Sequence, residues 1–183
     1  MDTNIKELIL GGGCFWCLDP IFHRLRGVVS VESGYCGGHV DHPDYRQVCE
    51  GTTGHAEVLR LRFDANVISR DTLLELFFTF HDPTSFNRQG NDVGPQYRSV
   101  IFYADETDRA ALAANIAALE DAGLWAKRFV TRLEPMATFW PAEDYHQRYF
   151  ETHGHEPYCA HVIDPKVQKL RARFAALLKD PQA

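Results

Sequence analysis

A mixture of helices and strands on one sheet, within a single domain, is the fold class that three observations predict. A chain of 183 residues with 45% hydrophobic content can build one sizeable core but hardly two. The apolar period switches repeatedly between two and 3.6 residues along the chain. No repeat, low-complexity tract or linker interrupts that alternation.

Lys6 to Leu10 reads as the first strand. It runs into Gly11-Gly12-Gly13-Cys14-Phe15-Trp16-Cys17, after which Leu18, Ile21, Phe22 and Leu25 fall at helical spacing, so Cys14 sits at a strand-to-helix turn. Pro20 sets the start of the helix proper nearer Cys17 than Cys14. Val28 to Ser33 reads as a strand, and Glu57 to Phe63 alternates cleanly as another. Ser69 can cap a helix that carries Leu73, Leu74, Phe77 and Phe78 on one face. Arg98 to Tyr103 is β-rich, Thr107 to Ala122 is an alanine-rich helix stopped by Gly123, and Phe129 to Leu133 is a further strand. Glu143 to Thr152 reads as a helix. A last helix opens with Asp164 as cap and Pro165 at its first position, with Val167, Leu170, Phe174 and Leu177 in register. Asp82 to Tyr97 has no apolar period and holds Pro83, Asn87, Gly90, Asn91, Asp92, Gly94 and Pro95. A polar loop that long inside a compact domain is usually functional.

Composition excludes several classes of function. The net charge of −6 argues against general nucleic-acid binding, which needs a basic face. No stretch of about eighteen apolar residues exists, and Met1 to Asn4 has neither the basic nor the apolar region of a leader, so a cytoplasmic protein off the membrane is expected. Five cysteines, an odd count, fit reduced thiols better than a disulfide framework.

Chemistry centres on Cys14. A thiol at a helix start faces unpaired backbone N–H groups and the positive end of the helix dipole, which favour the nucleophilic thiolate. The glycines before it let a backbone or a ligand come close, and Phe15 and Trp16 can form an apolar wall beside the sulfur. Glu57 shares the face of Leu59, Leu61 and Phe63, opposite Arg60 and Arg62. Desolvation there raises its pKa, so it can carry a proton near neutral pH as a general acid. Tyr45, Tyr97 and Asp92 are polar groups able to hydrogen-bond a small oxygen, while Trp125, Trp140 and the Phe77-Phe78 pair read most simply as core. The histidines read as structural or solvated.

Spacing tests three other roles for a reactive cysteine. A phosphatase loop wants arginine six residues on, where Pro20 follows Cys14 and His23 follows Cys17. A structural zinc module wants paired Cys-x-x-Cys units, and only Cys14 and Cys17 are so paired, which leaves no metal site. A dithiol–disulfide oxidoreductase using Cys14 and Cys17 stays as the alternative, with Phe-Trp in place of the usual Gly-Pro interior.

The strings Gly13-Cys14-Phe15-Trp16-Cys17, Gly34-Tyr35-Cys36-Gly37-Gly38, Tyr45-Arg46-Gln47-Val48-Cys49 and Thr53-Gly54-His55-Ala56-Glu57-Val58 occur in that order. They are followed by His81-Asp82-Pro83-Thr84, Asn87-Arg88-Gln89-Gly90-Asn91-Asp92, Gln96-Tyr97-Arg98-Ser99 and Ala142-Glu143-Asp144-Tyr145-His146-Gln147. Together they resemble the A-type peptide methionine sulfoxide reductases, from about residue 8 to residue 159.

That resemblance implies an α+β fold, a two-layer sandwich of a mixed sheet and helices with a ferredoxin-like core, here about residues 5–152. A long C-terminal recycling segment and helix, about residues 153–180, would complete one catalytic domain spanning 1–183. It implies Cys14 as the nucleophile toward the sulfoxide sulfur, Glu57 as the acid, Tyr45 and Tyr97 on the sulfoxide oxygen with Asp92 nearby, and Phe15 and Trp16 around the substrate's ε-methyl group. The product at Cys14 is a sulfenic acid, which a second thiol condenses with. Tyr158-Cys159 matches the family's recycling position, although Pro157 and the helix from Asp164 depart from its glycine-rich tail. Cys159 therefore ranks first, Cys17 second because a bridge across three residues at a helix start is strained, Cys36 third, and Cys49 is expected to be buried. The family needs no cofactor, takes methionine S-sulfoxide free or in proteins, is restored by thioredoxin, and is expected here as a monomer.

Overall fold

The computed structural model of the protein describes residues 4–180, so Met1 to Thr3, which carry most of the leader reading, and residues 181–183 of the domain span lie outside the described residues. Strand β1 (Ile5–Gly12) ends in the glycine run, and α1 (Phe15–His23) follows directly after Cys14. Next come β2 (Val28–Cys36), the short α2 (Tyr45–Cys49), β3 (Ala56–Asp64) and α3 (Arg70–Phe80). The polar loop contains a small hairpin, β4 (Arg88–Gln89) with β5 (Asp92–Val93). Strand β6 (Ser99–Tyr103), α4 (Glu106–Asp121), β7 (Arg132–Pro135), β8 (Trp140–Pro141), α5 (Tyr149–His153) and α6 (Asp164–Phe174) complete the chain.

The main sheet has the order β7-β6-β1-β3-β2-β8 and is mixed, antiparallel throughout except for the parallel β6–β7 pair. Its inner four strands, β6-β1-β3-β2, are joined through the β1-α1-β2 and β3-α3-β6 crossovers. This is the ferredoxin-like arrangement, and the α+β class holds.

Strand alternation divides the sheet's two faces. Leu8 and Leu10 of β1, Leu59, Leu61 and Phe63 of β3 and Ile101 of β6 pack under α1, α3 and α6, with Phe77 and Phe78 wholly buried among them. Removing one such ring from water stabilises the fold by about 1.5–3 kcal/mol. Ile9, Cys36, Ala56, Val58, Val100 and Phe102 form a separate cluster on the opposite face, with Phe139 against it. Glu57 has the parity of Leu59, so it points into the helical layer and is 1% exposed. The C-terminal segment joins the same layer through Cys159, Ile163, Val167 and Leu170, all buried.

Four elements differ from the sequence reading. Helix α1 begins at Phe15, not near Cys17: the Cys17 N–H donates to the Cys14 carbonyl at 3.0 Å, and burial of most of the helix outweighs the N–H that Pro20 lacks. The strand expected at Phe129 to Leu133 starts at Arg132, because the Val130 N–H is taken by the Pro83 carbonyl at 2.7 Å. The helix expected over Glu143 to Thr152 is split, since Arg148 adopts a left-handed φ of 52° between a 3₁₀ turn at Asp144–His146 and α5. Asp164 caps nothing with its side chain; a π-helical turn over Cys159–Ile163 leads straight into α6. Other signals held: Ser69 accepts from the Thr72 N–H at 3.1 Å, and Gly123 ends α4 at φ 70°.

Candidate active site

The glycine run is set by its neighbours. A Cβ on Gly11 would lie 2.5 Å from the Glu57 carbonyl oxygen, and Gly13 takes φ 98°, turning the chain so that Cys14 becomes the cap residue of α1. The first N–H inside the helix, that of Phe15, donates to Glu57 Oε2 at 3.0 Å, which ties β3 to the helix start. The other carboxyl oxygen, Oε1, is buried without a hydrogen-bond partner. Burial dominates, and despite the Phe15 N–H the Glu57 pKa rises from 4.5 to about 8. The Cys14 thiol and this carboxyl group lie within electrostatic reach of each other.

The thiolate expectation for Cys14 needs correction in this state. Burial pushes its thiol well above the usual range, its hydrogen bond to Cys17 and the Glu57 charge add to that, and only the Trp16 backbone N–H opposes them. Desolvation outweighs the helix start. Cys17 behaves the other way: the hydrogen bond from Cys14 brings it down to about 7 against its own burial, with help from the Lys166 charge and the Tyr158 hydroxyl.

Trp16 is held on three sides. Its indole stacks on Tyr149 at 3.8 Å and 7°, meets Tyr158 edge-on at 6.1 Å, and donates from Nε1 to His146 Nδ1 at 3.0 Å. That bond places the His146 proton on Nε2, which is buried without a partner, and burial keeps the ring neutral. Phe15 is 1% exposed and packs 5.2 Å from His146, while Tyr45 stands 4.3 Å from the same ring. The Tyr45 N–H donates to Glu143 Oε2 at 3.1 Å, and the Tyr35 hydroxyl to Oε1 at 2.9 Å. Tyr45 and Tyr97 both lie within electrostatic reach of Glu57 and Cys14, and burial raises both phenols further, so they remain donors.

Asp92 is reached through Tyr158, whose hydroxyl donates to Asp92 Oδ2 at 2.9 Å and lies 3.2 Å from Cys17 Sγ. One hydroxyl proton serves both neighbours: it goes to Asp92 when Cys17 is a thiol and turns to Cys17 when that is a thiolate. A cavity of about 460 Å³ opens beside this junction, lined by Cys14, Cys17, Asp92 and Tyr158 with Gly12, the Gln89–Asn91 turn, Val162 and Lys166.

The structure therefore gathers Cys14, Glu57, Phe15, Trp16, Tyr45, Tyr97, Asp92 and Cys17. Cys159 lies next in sequence to Tyr158 and is buried, within electrostatic reach of Cys17. Cys36 lies on the other face of the sheet, its thiol donating to the Ala137 carbonyl at 3.6 Å. Cys49 is exposed, not buried, because it ends the short α2 helix at the surface.

Residues 6–178 match the family described as Peptide methionine sulfoxide reductase. The chain belongs to that family. Among curated reductases of this kind, the MsrA protein of Chromobacterium violaceum is 52% identical over 96% of this chain and 100% of its own length. Mxr1 from Saccharomyces cerevisiae in reduced form superposes with a TM-score of 0.76 at 33% identity, covering 85% of this chain and 90% of that one. Methionine sulfoxide reductase A of Corynebacterium diphtheriae gives 0.74 at 32%, covering 87% and 80%. The yeast protein is also known in complex with Trx2. As a reductase site, the cluster has four members that sequence reasoning passed over. His146, Tyr149 and Tyr158 hold Trp16, and Glu143 holds Tyr45; the run Glu143-Asp144-Tyr145-His146 carried the only signal for two of them.

Proposed function

We propose that this chain reduces methionine S-sulfoxide, free or in proteins, through attack of Cys14 on the sulfoxide sulfur with Glu57 as the proton donor. The buried Glu57 carboxyl, held by the Phe15 N–H beside Cys14 and raised to about 8, is the observation that carries this reading. A carboxyl group raised to about 8 can take up the Cys14 proton, and the cost set by a thiol itself raised well above its usual range is offset as the thiolate bonds to the sulfoxide sulfur. One transfer creates both nucleophile and acid. The thiolate then bonds to sulfur, Tyr45 and Tyr97 donate to the oxygen, and Glu57 protonates it as the S–O bond breaks. The released hydroxide then attacks the Cys14 sulfur, the S–S bond to methionine breaks with its electron pair on the methionine sulfur, and Cys14 becomes a sulfenic acid as methionine leaves. Phe15 and Trp16 take the ε-methyl group, with Asp92 at the rim.

Resolution follows from which thiol is near. Cys17, whose thiol lines the same cavity as Cys14, can condense with the sulfenic acid and release water. Cys159, first in the sequence ranking, can then attack the Cys17 sulfur, returning Cys14 as thiolate and leaving a Cys17–Cys159 disulfide for a thioredoxin dithiol to reduce. The yeast Mxr1 complex with Trx2 supports thioredoxin as the reductant. Residues 5–152 and 153–180 act as one catalytic unit in this scheme, and five free cysteines suit a reducing, cytoplasmic setting. No helix among the described residues is long and apolar enough to cross a membrane.

The test is consumption of each sulfoxide epimer of an N-acetylated methionine amide with dithiothreitol as reductant. Loss of the S form alone supports the reading, and consumption of the R form alone or of neither sinks it.

A further inference from the structure

Lys166 stands in the first turn of α6 and lines the cavity that borders Cys14. It forms no ion pair or hydrogen bond among the described residues. The one carboxylate lining the same cavity, Asp92, already accepts from the Tyr158 hydroxyl at 2.9 Å. The cavity wall thus holds an ammonium with no direct ion-pair or hydrogen-bond partner among the described residues, next to the sulfur where reduction would run, and its charge reaches Cys17. Helix α6 is fixed in place by Val167 and Leu170 in the core, so the lysine stem is anchored at its base.

We infer that Lys166 recognises the α-carboxylate of substrates in which the oxidised methionine is a free amino acid or the last residue of a chain. This rests on the sulfoxide reductase reading. The carboxyl carbon is four bonds from the sulfoxide sulfur, close enough for a substrate seated on Cys14 to project it into the cavity. In an internal residue the same carbon belongs to a neutral amide, which gains little from an ammonium. A carboxylate entering beside the Cys14 thiolate would also be repelled unless a cation faced it. Lys166 supplies that cation and so separates terminal or free methionine sulfoxide from internal sites.

Four small substrates test this: methionine S-sulfoxide and its amide, then N-acetyl methionine S-sulfoxide and its methylamide. Each is assayed with wild type, Lys166→Gln and Lys166→Arg. The expected result is a KM about tenfold higher for the carboxylates with Lys166→Gln, amides unchanged within about twofold, and recovery with Lys166→Arg. A response by the acetylated pair alone assigns the ligand to chain termini, and one by the other pair alone assigns it to the free amino acid. Equal KM changes for acid and amide, no change in any, or a kcat loss common to all four would overturn the inference. Failure of wild type to reduce any of the four would instead remove the sulfoxide reading, and this inference with it.

Discussion

The Phe15 backbone N–H donates to Glu57 Oε2 at 3.0 Å, and this contact is what fixes a carboxyl group from the sheet at the start of the helix that carries Cys14. It satisfies one oxygen and leaves Oε1 buried and unpaired, so Glu57 is positioned without being made comfortable as an anion.

Stability should record that discomfort. With the folded value near 8 and the ordinary one near 4.5, the folded state holds more protons than the unfolded one between those limits. Stability associated with the neutral form is present in full below the lower value, falls as pH rises, and is gone above the upper one. Glu57→Gln stays uncharged, so urea titrations from pH 5 to pH 8.5 should find wild type losing a few kcal/mol relative to the variant. Parallel curves would contradict the assignment.

Tyr158→Phe removes the hydroxyl shared by Cys17 and Asp92. The Cys17 thiolate loses a donor, so the midpoint of its alkylation against pH, read by peptide mass spectrometry, should move up from about 7 by about one pH unit. An unchanged midpoint would mean the hydroxyl serves Asp92 alone.

His146→Leu keeps bulk beside Phe15 but removes the acceptor of the Trp16 indole N–H. The wall formed by Phe15 and Trp16 loosens, and the efficiency of sulfoxide reduction should fall about tenfold. Steady-state kinetics with a blocked methionine sulfoxide would measure it, and wild-type efficiency would show that the Tyr149 stack suffices.

Gly11→Ala places a methyl group against the Glu57 carbonyl, where the gap is 2.5 Å. Strand β1 must shift from β3, costing about 1–3 kcal/mol in denaturant unfolding. A neutral outcome would show that the centre of the sheet yields freely there.

What the sequence disclosed depended on periodicity. Glu57 was legible because parity along β3 is strict, and the strand-to-helix turn at Cys14 because glycines and aromatics flank it. Residues that act across elements left no such trace: His146 looks like any histidine until Trp16 is seen beside it, and Tyr158 like a tail residue until it bridges Cys17 and Asp92. The Cys14 proton was misjudged for a similar reason. Helix position is local, but the burial that outweighs it comes from the whole layer. The splitting of the Glu143–Thr152 helix hung on one left-handed residue, Arg148, whose type gives no warning.

The most direct measurement is methionine formed from excess substrate without added reductant, comparing wild type, Cys14→Ser and Glu57→Gln on a peptide bearing methionine S-sulfoxide. The account predicts two methionines per wild-type chain, the second because Cys159 returns the Cys14 thiolate, none with Cys14→Ser, and a first-turnover rate lower by about 10²–10⁴ with Glu57→Gln. Methionine formed by Cys14→Ser at the wild-type rate would contradict it.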